Sequence, residues 1–366
     1  MANAFLTGFF YPPSNGVGAG VNTAFRDWPT PLNHQWNVSF QRTLPGAMLV
    51  ETAYVGNRGM RYWVNRSHNT ASSSFLSLGN SLNDLVANPF AGVITTGSLT
   101  SATIRRYQLL TPFPHYTGVT QFRDAIGDSV YHGFTLRVEK RTQRGLTLHM
   151  GYTISKELDN AQERFASRAS FIDPNNLRIS RSIAEWDRPH LVVFGYVYEL
   201  PIGSGKAWLR RGPVSRIVAN WQVSGATTFA KGLPMVITTT CSTVIPGIGC
   251  TALRQKDAVL AGEQRTIDRY FDTSAFATPP AFSMGSDSRT EPQLRIPGIN
   301  NFDIGISRNQ RFRENRMNVQ FRAEFFSAFN HTQLGAPNGS TSSPDFGRIT
   351  SATGTRTIQL GLRLSY

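Results

Sequence analysis

The last ten residues of the chain alternate strictly between apolar and polar side chains. From Thr357 the sequence reads T-I-Q-L-G-L-R-L-S-Y and ends on an aromatic residue. One face of such a strand carries all of its large apolar side chains, namely Ile358, Leu360, Leu362, Leu364 and Tyr366. A strand of a soluble sandwich is about 5–6 residues long, whereas a tilted strand needs about ten residues to cross a bilayer. The segment therefore predicts a membrane-spanning β-strand.

The alternation recurs in five further segments, and their two faces indicate what kind of sheet they form. The segments are residues 134–140, 146–155, 221–229, 302–307 and 317–325. One face is apolar and rich in aromatic residues, as a lipid-facing surface is. The other face carries charged and polar side chains, which we expect to line a barrel lumen: Arg137, Glu139, His149, Gln320, Arg322 and Glu324. Residues 190–200 are apolar on both faces, so the sequence leaves their facing open.

The composition excludes a helical membrane protein and fits a barrel. Only 16% of the 366 residues are charged, whereas about 25% is usual for a soluble protein. No stretch approaches the ~18 consecutive apolar residues that a spanning helix needs. The mean hydropathy of -0.25 is compatible with a transmembrane barrel, because alternating apolar and polar residues cancel in any average.

The connections between the predicted strands differ greatly in length. Short turns at residues 43–46, 142–145 and 309–315 alternate with long polar connections at residues 56–129, 156–189, 231–300 and 328–356. Outer-membrane barrels have short periplasmic turns and long extracellular loops. If the last strand ends in the periplasm, every short turn falls on that side. With a further strand at Asn3–Phe10, we count about ten strands, and an even number is the rule for such barrels.

The basic charge and the two cysteines each leave two interpretations open. A net charge of +14 invites binding to nucleic acid, but the basic residues are scattered and form no stripe. Arginine-rich sequences also suit lipid phosphates or a charged lumen, so we expect no nucleic-acid partner. Cys241 and Cys250 lie in one loop-like stretch, where they could form a disulfide in an oxidising compartment or remain two unpaired thiols.

Fragments that resemble catalytic motifs fail on their context. Residues 203–206 read G-S-G-K, but Ala207 follows where a phosphate-binding loop needs serine or threonine. Ser129 and His132 lie close together in sequence, yet they open a strand and no strained elbow surrounds them. We therefore expect no enzyme, no cofactor and no metal site.

A set of short motifs runs through the chain. Three lie in its closing part: F-R-A-E-F-F-S-A-F-N-H-T at 321–332, F-G-R-I at 346–349 and R-T-I-Q-L-G-L-R-L-S-Y at 356–366. Earlier ones are Q-W-N-V-S-F-Q-R at 35–42, A-Y-V-G-N-R-G at 53–59 and W-D-R-P-H at 186–190. Each motif is modest alone, but in their order and spacing they resemble Oar-like TonB-dependent receptors of the outer membrane. The resemblance covers essentially the whole chain.

The resemblance implies a barrel of twenty-two strands, closed by an N-terminal plug domain, that imports a bulky ligand with energy passed through the TonB protein. It also implies that the terminal strand with its final aromatic is recognised by the outer-membrane assembly machinery. We expect residues 1–366 to be the last ten strands or so of such a barrel. The expected partners are then outer-membrane lipid, lipopolysaccharide, a ligand not specified by the sequence, and TonB only through a plug region outside this chain.

Two other classes remain open at this stage. A self-contained porin or adhesin barrel of about ten strands would show the same alternation. A soluble basic β protein that binds polyanions would explain the charge, and it would bind them in a salt-sensitive way.

Overall fold

The computed structural model describes residues 16–24, 29–95, 97–143, 145–161, 171–203, 206–209, 211–312 and 317–366. Antiparallel strands dominate this part of the chain, as the alternation predicts. The strands are, in chain order, β1 Gly20–Ala24, β2 Leu32–Leu44, β3 Met48–Ser67, β4 Leu85–Ala87, β5 Thr103–Arg105, β6 Gly118–Gln143, β7 Leu146–Asp159, β8 Ser182–Ile183, β9 His190–Glu199, β10 Trp221–Ala230, β11 Leu253–Arg254, β12 Phe276–Ala277, β13 Ile299–Phe312, β14 Met317–Phe326, β15 Gln333–Leu334, β16 Ala352–Thr353 and β17 Thr357–Ser365.

Helices are few and short in the same residues. Two are α-helical, α1 Arg106–Leu109 and α2 Pro213–Val218, and the others are 3-10 turns at Ser73–Asn83, Ser98–Thr100, Leu177–Ser180, Gly262–Gln264 and Thr273–Ala275. Within the part of the chain that the structure describes, no helix is both long enough and apolar enough to cross a membrane.

Among the described residues, nine long strands form one sheet in which each strand pairs with the next long strand along the chain. The order is β2-β3-β6-β7-β9-β10-β13-β14-β17, and every neighbouring pair is antiparallel. Two short strands extend the sheet, since β1 pairs in parallel with β6 and β8 pairs with β7. This meander confirms the predicted fold class. The tenth strand predicted at Asn3–Phe10 lies outside the described residues.

The connections alternate in length as predicted. On one side of the sheet, β2 joins β3 through residues 45–47, and β6 joins β7 through two residues, 144–145. The end of β9 and the start of β10 lie on the same side, as do the end of β13 and the start of β14. The opposite side carries the described residues of the long connections, namely 68–95, 97–117, 160–161, 171–189, 231–298 and 327–356. We call these residues, which pack together, the cap.

The strands β3 and β6 run much further than the sequence predicts. We expected β3 to end at residue 55 and β6 to begin at residue 130, but their pairing continues to Ser67 and Gly118. The register shifts three times in this extension, between Met60 and Ser67, and Arg61 adopts a φ of 59°. Each bulge adds an unpaired residue and so interrupts the period-two pattern. That interruption is why alternation alone could not detect the extension.

The register joins the apolar positions of neighbouring strands into continuous rows. One row runs from Val38 to Tyr54, Phe134 and Ile154 across β2, β3, β6 and β7. The register also decides the facing of β9, which the sequence left open. Phe194 pairs with Met150 and Tyr196 with Leu148, so the aromatic side chains of β9 lie on the apolar face. One face of all nine strands is therefore apolar.

Aromatic rings on this face lie over glycines of the neighbouring strand. Tyr196 pairs with Gly225, where a Cβ atom would come within 2.7 Å of the ring. Trp36 covers its partner Gly56 in the same way. A ring can lie flat on the sheet only where the partner has no side chain, and such pairs help to fix strand register.

The cap is a folded unit with its own hydrophobic cores. Its largest buried side chains include Phe271, Leu294 and Leu82. One cluster lies within residues 235–294 and contacts Phe346 of the last connection, while another joins residues 71–82 to Ile245 and Ile248. The sequence led us to expect polar loops. Apolar residues are spread thinly along these connections without period, so their packing was not visible.

A disulfide between Cys241 and Cys250 closes a short loop in the cap. The loop carries Ile245 and Ile248, which pack against Leu82 and its neighbours from the connection between β3 and β6. The cross-link thus constrains a loop whose apolar residues hold two separate connections together.

Buried ion pairs join the cap to β7 and join two connections within the cap. Arg289 pairs with Asp159 at the end of β7, and its Nε donates to the carbonyl oxygen of Ser180 at 3.1 Å. Arg295 Nη2 lies 2.6 Å from Asp187 Oδ2, and both residues belong to the cap. No sequence pattern indicated these pairs, because their partners are more than a hundred residues apart.

Candidate functional site: the apolar band and the polar face

The apolar face has the height of a membrane-spanning band. On β7 it runs from Leu146 to Ile154, which is nine residues, and Lys156 follows in the same phase. A tilted strand needs about 9–11 residues to cross the hydrocarbon core. On β6 the band is bounded by Lys140 at one end and His132 at the other. Charged and polar side chains therefore mark both borders of the apolar stripe.

Tyrosine–histidine pairs mark the border nearest the cap. The Tyr54 hydroxyl is hydrogen-bonded to Nδ1 of His132 at 2.8 Å, and the Tyr152 hydroxyl to Nδ1 of His190 at 3.0 Å. Amphipathic rings of this kind concentrate at the interface between membrane and water. Their position agrees with a band that ends just below the cap.

Three of the predicted lumen residues meet on the opposite, polar face. Glu139 lies directly across from His149 in the register of β6 and β7. Arg137 forms an ion pair with Glu139, and His149 Nδ1 lies 4.0 Å from Glu139 Oε1. Glu139 is buried, whereas Arg137 and His149 are exposed. The Glu139 carboxylate thus holds in place two exposed side chains that extend away from the sheet.

The other three predicted residues follow one another on β14. Arg322 Nη1 lies 3.4 Å from Glu324 Oε1, and Gln320 faces Arg363 of β17. Arg322 faces Gly361, so no side chain opposite it crowds the guanidinium. This group and the first group share a face, but three strands, β9, β10 and β13, separate them.

A shallow depression of about 450 Å³ lies between the two groups. Its lining includes His149 from the first group and Glu324 from the second, but neither Arg137 nor Gln320. The strands between contribute small residues to its floor, namely Gly195, Ser224, Ala226 and Gly305. Missing side-chain volume at these positions creates the depression. It offers hydrogen-bonding and acidic groups on a mainly small-residue floor.

Sequence reasoning missed one acidic residue of this depression. Asp303 lines it and pairs with Ala226 in the register of β13 and β10. The alternation of β13 already placed Asp303 on the polar face, so the signal was present. Among the described residues, no group of three or more histidine, cysteine or acidic side chains is arranged to hold a metal ion.

An antiparallel meander with an apolar band on one face and charged residues on the other defines an outer-membrane β-barrel. The comparison with protein families agrees. Residues 2–359 match the family described as outer membrane beta barrel domain. The chain belongs to this family, and it is located in the outer membrane. The soluble polyanion-binding alternative is inconsistent with that location.

Solved structures similar to the chain include several outer-membrane transporters. The outer membrane transporter YddB from Escherichia coli matches with 10% identity and a TM-score of 0.48, over 95% of this chain and 34% of that one. The FrpB iron transporter from Neisseria meningitidis matches with 12% identity and a TM-score of 0.38, over 94% and 33%. The chain thus spans about a third of the length of these transporters. No curated protein matches it significantly.

Proposed function

We propose that this chain is the barrel portion of a TonB-dependent outer-membrane receptor that imports a bulky ligand. The observation that carries the proposal is the polar face. It runs across nine strands opposite a membrane band and bears two groups of ion-paired side chains with a depression between them. A face with so many charged side chains cannot contact lipid, so it lines an aqueous interior.

The sheet needs further strands to close. Within the described residues, β2 and β17 each pair on one side only. Open sheet edges do not occur in hydrocarbon, because unpaired backbone groups cost several kcal/mol each. We propose that strands outside those described here complete a barrel of twenty-two. A plug region, also outside this chain, would contact TonB.

The polar-face residues are proposed as contacts for the ligand or the plug. Arg137, His149 and Arg322 reach furthest because they are exposed, whereas Glu139 and Glu324 orient them through ion pairs. The role we propose for the site is binding and passage, without catalysis. The apolar band would contact lipid, and the cap would lie among the lipopolysaccharide on the cell surface.

The exposed last strand is proposed as the signal for the assembly machinery. Its apolar side chains Ile358, Leu360, Leu362, Leu364 and Tyr366 are all exposed in this chain. We expect Tyr366→Ala to reduce the amount of protein that reaches the outer membrane. Tyr366→Phe retains the aromatic ring and should restore assembly. Equal outer-membrane amounts of both variants and the parent would contradict this role.

The transport proposal is tested by comparing what cells remove from a complex growth medium. Three strains are grown side by side: the parent, a strain without this protein, and a strain without TonB. Mass spectrometry of the spent medium should find compounds that only the parent depletes. Depletion that persists without TonB would instead support a self-contained porin, and identical media from all strains would overturn import altogether.

A further inference from the structure

A second pocket lies on the polar face of the sheet, at the level where the membrane-spanning part of the strands ends and the cap begins. It has a volume of about 270 Å³ and lies at the ends of β2, β3, β6 and β7 nearest the cap. The side chains that define this pocket, called here the amide pocket, are Asn33, Gln35, Asn57, Tyr62, Tyr131 and Glu157. None of them belongs to the groups described above, and the proposed function assigns them no role.

Four of these side chains form a single row across the sheet. Gln35 pairs with Asn57, Asn57 with Tyr131, and Tyr131 with Glu157. Neighbouring strands are about 4.8 Å apart, so the row is about 14 Å long. It presents amide, phenol, and carboxylate groups at regular intervals. Such a row fits an extended ligand with repeated polar groups better than a compact one.

Both tyrosine rings lie flat against the sheet. Tyr131 covers Gly133, where a Cβ atom would come within 2.9 Å of the ring. Tyr62 covers Gly59 in the same way, and the bulge between Met60 and Tyr62 is what turns Tyr62 onto the face of Gly59. A flat ring presents its π-face to the space above the sheet. One such face belongs to Tyr131, which is part of the row, and the other belongs to Tyr62, which lies beside the row.

The amides of this pocket are available to a ligand. Among the described residues, no side-chain hydrogen bond joins Asn33, Gln35 or Asn57 to another group. An amide both donates and accepts hydrogen bonds, and two adjacent amides match the paired hydroxyls of a sugar ring. The C–H face of a sugar in turn packs on an aromatic face.

The local charge disfavours an anionic ligand. Arg58 and Arg181 are both ion-paired with Asp128, Arg181 Nη1 at 2.6 Å from its Oδ1. Among the described residues that line the pocket, Glu157 is acidic and none is basic. The lining therefore offers no cation to an anionic ligand.

We infer that the amide pocket binds a neutral oligosaccharide. The inference names a ligand class for the proposed receptor and rests on that function in one respect: the polar face must line the aqueous interior. Amides, flat tyrosine rings and a single carboxylate together recognise hydroxyl-rich chains and offer little to a phosphate, a metal complex or an apolar ligand.

The test uses outer-membrane vesicles from cells that make the protein in its natural setting. The probes are maltohexaose, cellohexaose, xylohexaose and mannohexaose, each labelled with a fluorophore, and binding is followed by fluorescence anisotropy. We expect at least one probe to bind. Asn57→Ala and Tyr62→Ala should each weaken binding of that probe tenfold or more, and Tyr62→Phe should bind as the parent does because it keeps the ring.

Gln41→Ala is the matched control, since it removes an exposed amide from the same face of β2 outside the pocket. If Asn57→Ala fails to assemble, Gln35→Ala replaces it, because Gln35 is exposed on β2. Binding of none of the four probes would overturn the inference, as would tighter binding of an acidic hexagalacturonate. If TonB-dependent depletion of the medium fails while a probe still binds, only the transport proposal falls.

Discussion

Single arginines neutralise buried carboxylates at several points in the cap. Arg289 and Asp159 retain only 7% and 10% of their side-chain exposure, and Glu291 beside Arg254 retains 1%. Taking charges out of water costs several kcal/mol per ion, so a buried partner left alone is strongly destabilising. At the residue scale, the first pair holds the cap to β7 and the second lies within the cap, and the buried carboxylates give two predictions.

Arg289→Ala should loosen the cap near β8. The change leaves Asp159 buried without its cation, and we expect a loss of about 3–5 kcal/mol at pH 8. Burial raises the pKa of Asp159 to about 6, with Arg289 opposing the rise. Without Arg289 the carboxyl takes up a proton more readily, so the loss should be smaller at pH 5.

Hydrogen exchange of residues 177–183 in vesicles measures this loss. Arg348→Ala is the control, because Arg348 and Asp268 form an exposed pair with side-chain exposures of 49% and 69%. Exposed pairs contribute about 0–1 kcal/mol. Equal exchange in the two variants would show that the buried pair does not hold the cap.

The stability of the cap should fall as the pH rises from about 4 to about 7. Burial, together with the neighbouring Glu291 carboxylate, which accepts a hydrogen bond from the protonated form, raises the pKa of Asp287 to about 7. In that window the folded cap keeps a proton that the unfolded chain has lost, so each pH unit gained reduces stability. The full change is about 4 kcal/mol.

Asp287→Asn should remove most of this dependence, because the amide does not ionise. Asp257→Asn is the control, since Asp257 approaches the same Arg254 at 3.6 Å but is 66% exposed. The measurement is protection of residues 235–294 against hydrogen exchange between pH 5 and pH 8. If protection in the Asp287→Asn variant changed with pH as steeply as it does in the parent, the assignment to Asp287 would be contradicted.

At the scale of elements, the sequence predicted the strands well and the cap poorly. Period-two alternation located β14 and β17 almost to the residue, since lipid and water impose opposite demands on successive side chains. The polar-face residues followed from the same pattern. The small-residue depression did not, because its lining comes from five strands whose register only folding reveals. The ion pairs of the cap were hidden for the same reason.

The disulfide gives the prediction that belongs to this scale. Replacing Cys241 and Cys250 together by serine frees a loop with a sequence separation of 9. Loop-closure entropy puts the loss at about 2–3 kcal/mol. Exchange protection should fall at Ala71, Leu76 and Leu82, which pack on the loop, and remain unchanged in β14. Uniform loss over the whole chain would contradict a local role.

At the scale of the whole molecule, the two faces of the sheet predict which positions reach water. Single cysteines are introduced at Arg137 and Arg322 on the polar face, and at Leu136 and Leu362 on the apolar face. Because the native cysteines are joined in a disulfide, the label reacts with the introduced thiols. A hydrophilic maleimide added to intact cells should label positions 137 and 322 at least tenfold faster than 136 and 362.

That experiment also tests the register as a unit. Because the nine strands pair in continuous rows, a slip of one residue in any strand would exchange its two faces. Labelling of positions 136 and 362 with protection of 137 and 322 would show that the polar face meets lipid. Such a result would reverse the assignment of the band and of the lumen together.

The composite cores of the cap set an order of events during biogenesis. One core needs residues 71–82 together with Ile245 and Ile248, and another needs Phe346, near the end of the chain. In the proposed orientation these segments meet only after the last long connection has crossed to the cell surface. The Cys241–Cys250 link, by contrast, can form earlier, in the oxidising periplasm. The cores of the cap can therefore pack completely only after translocation of the loops is finished.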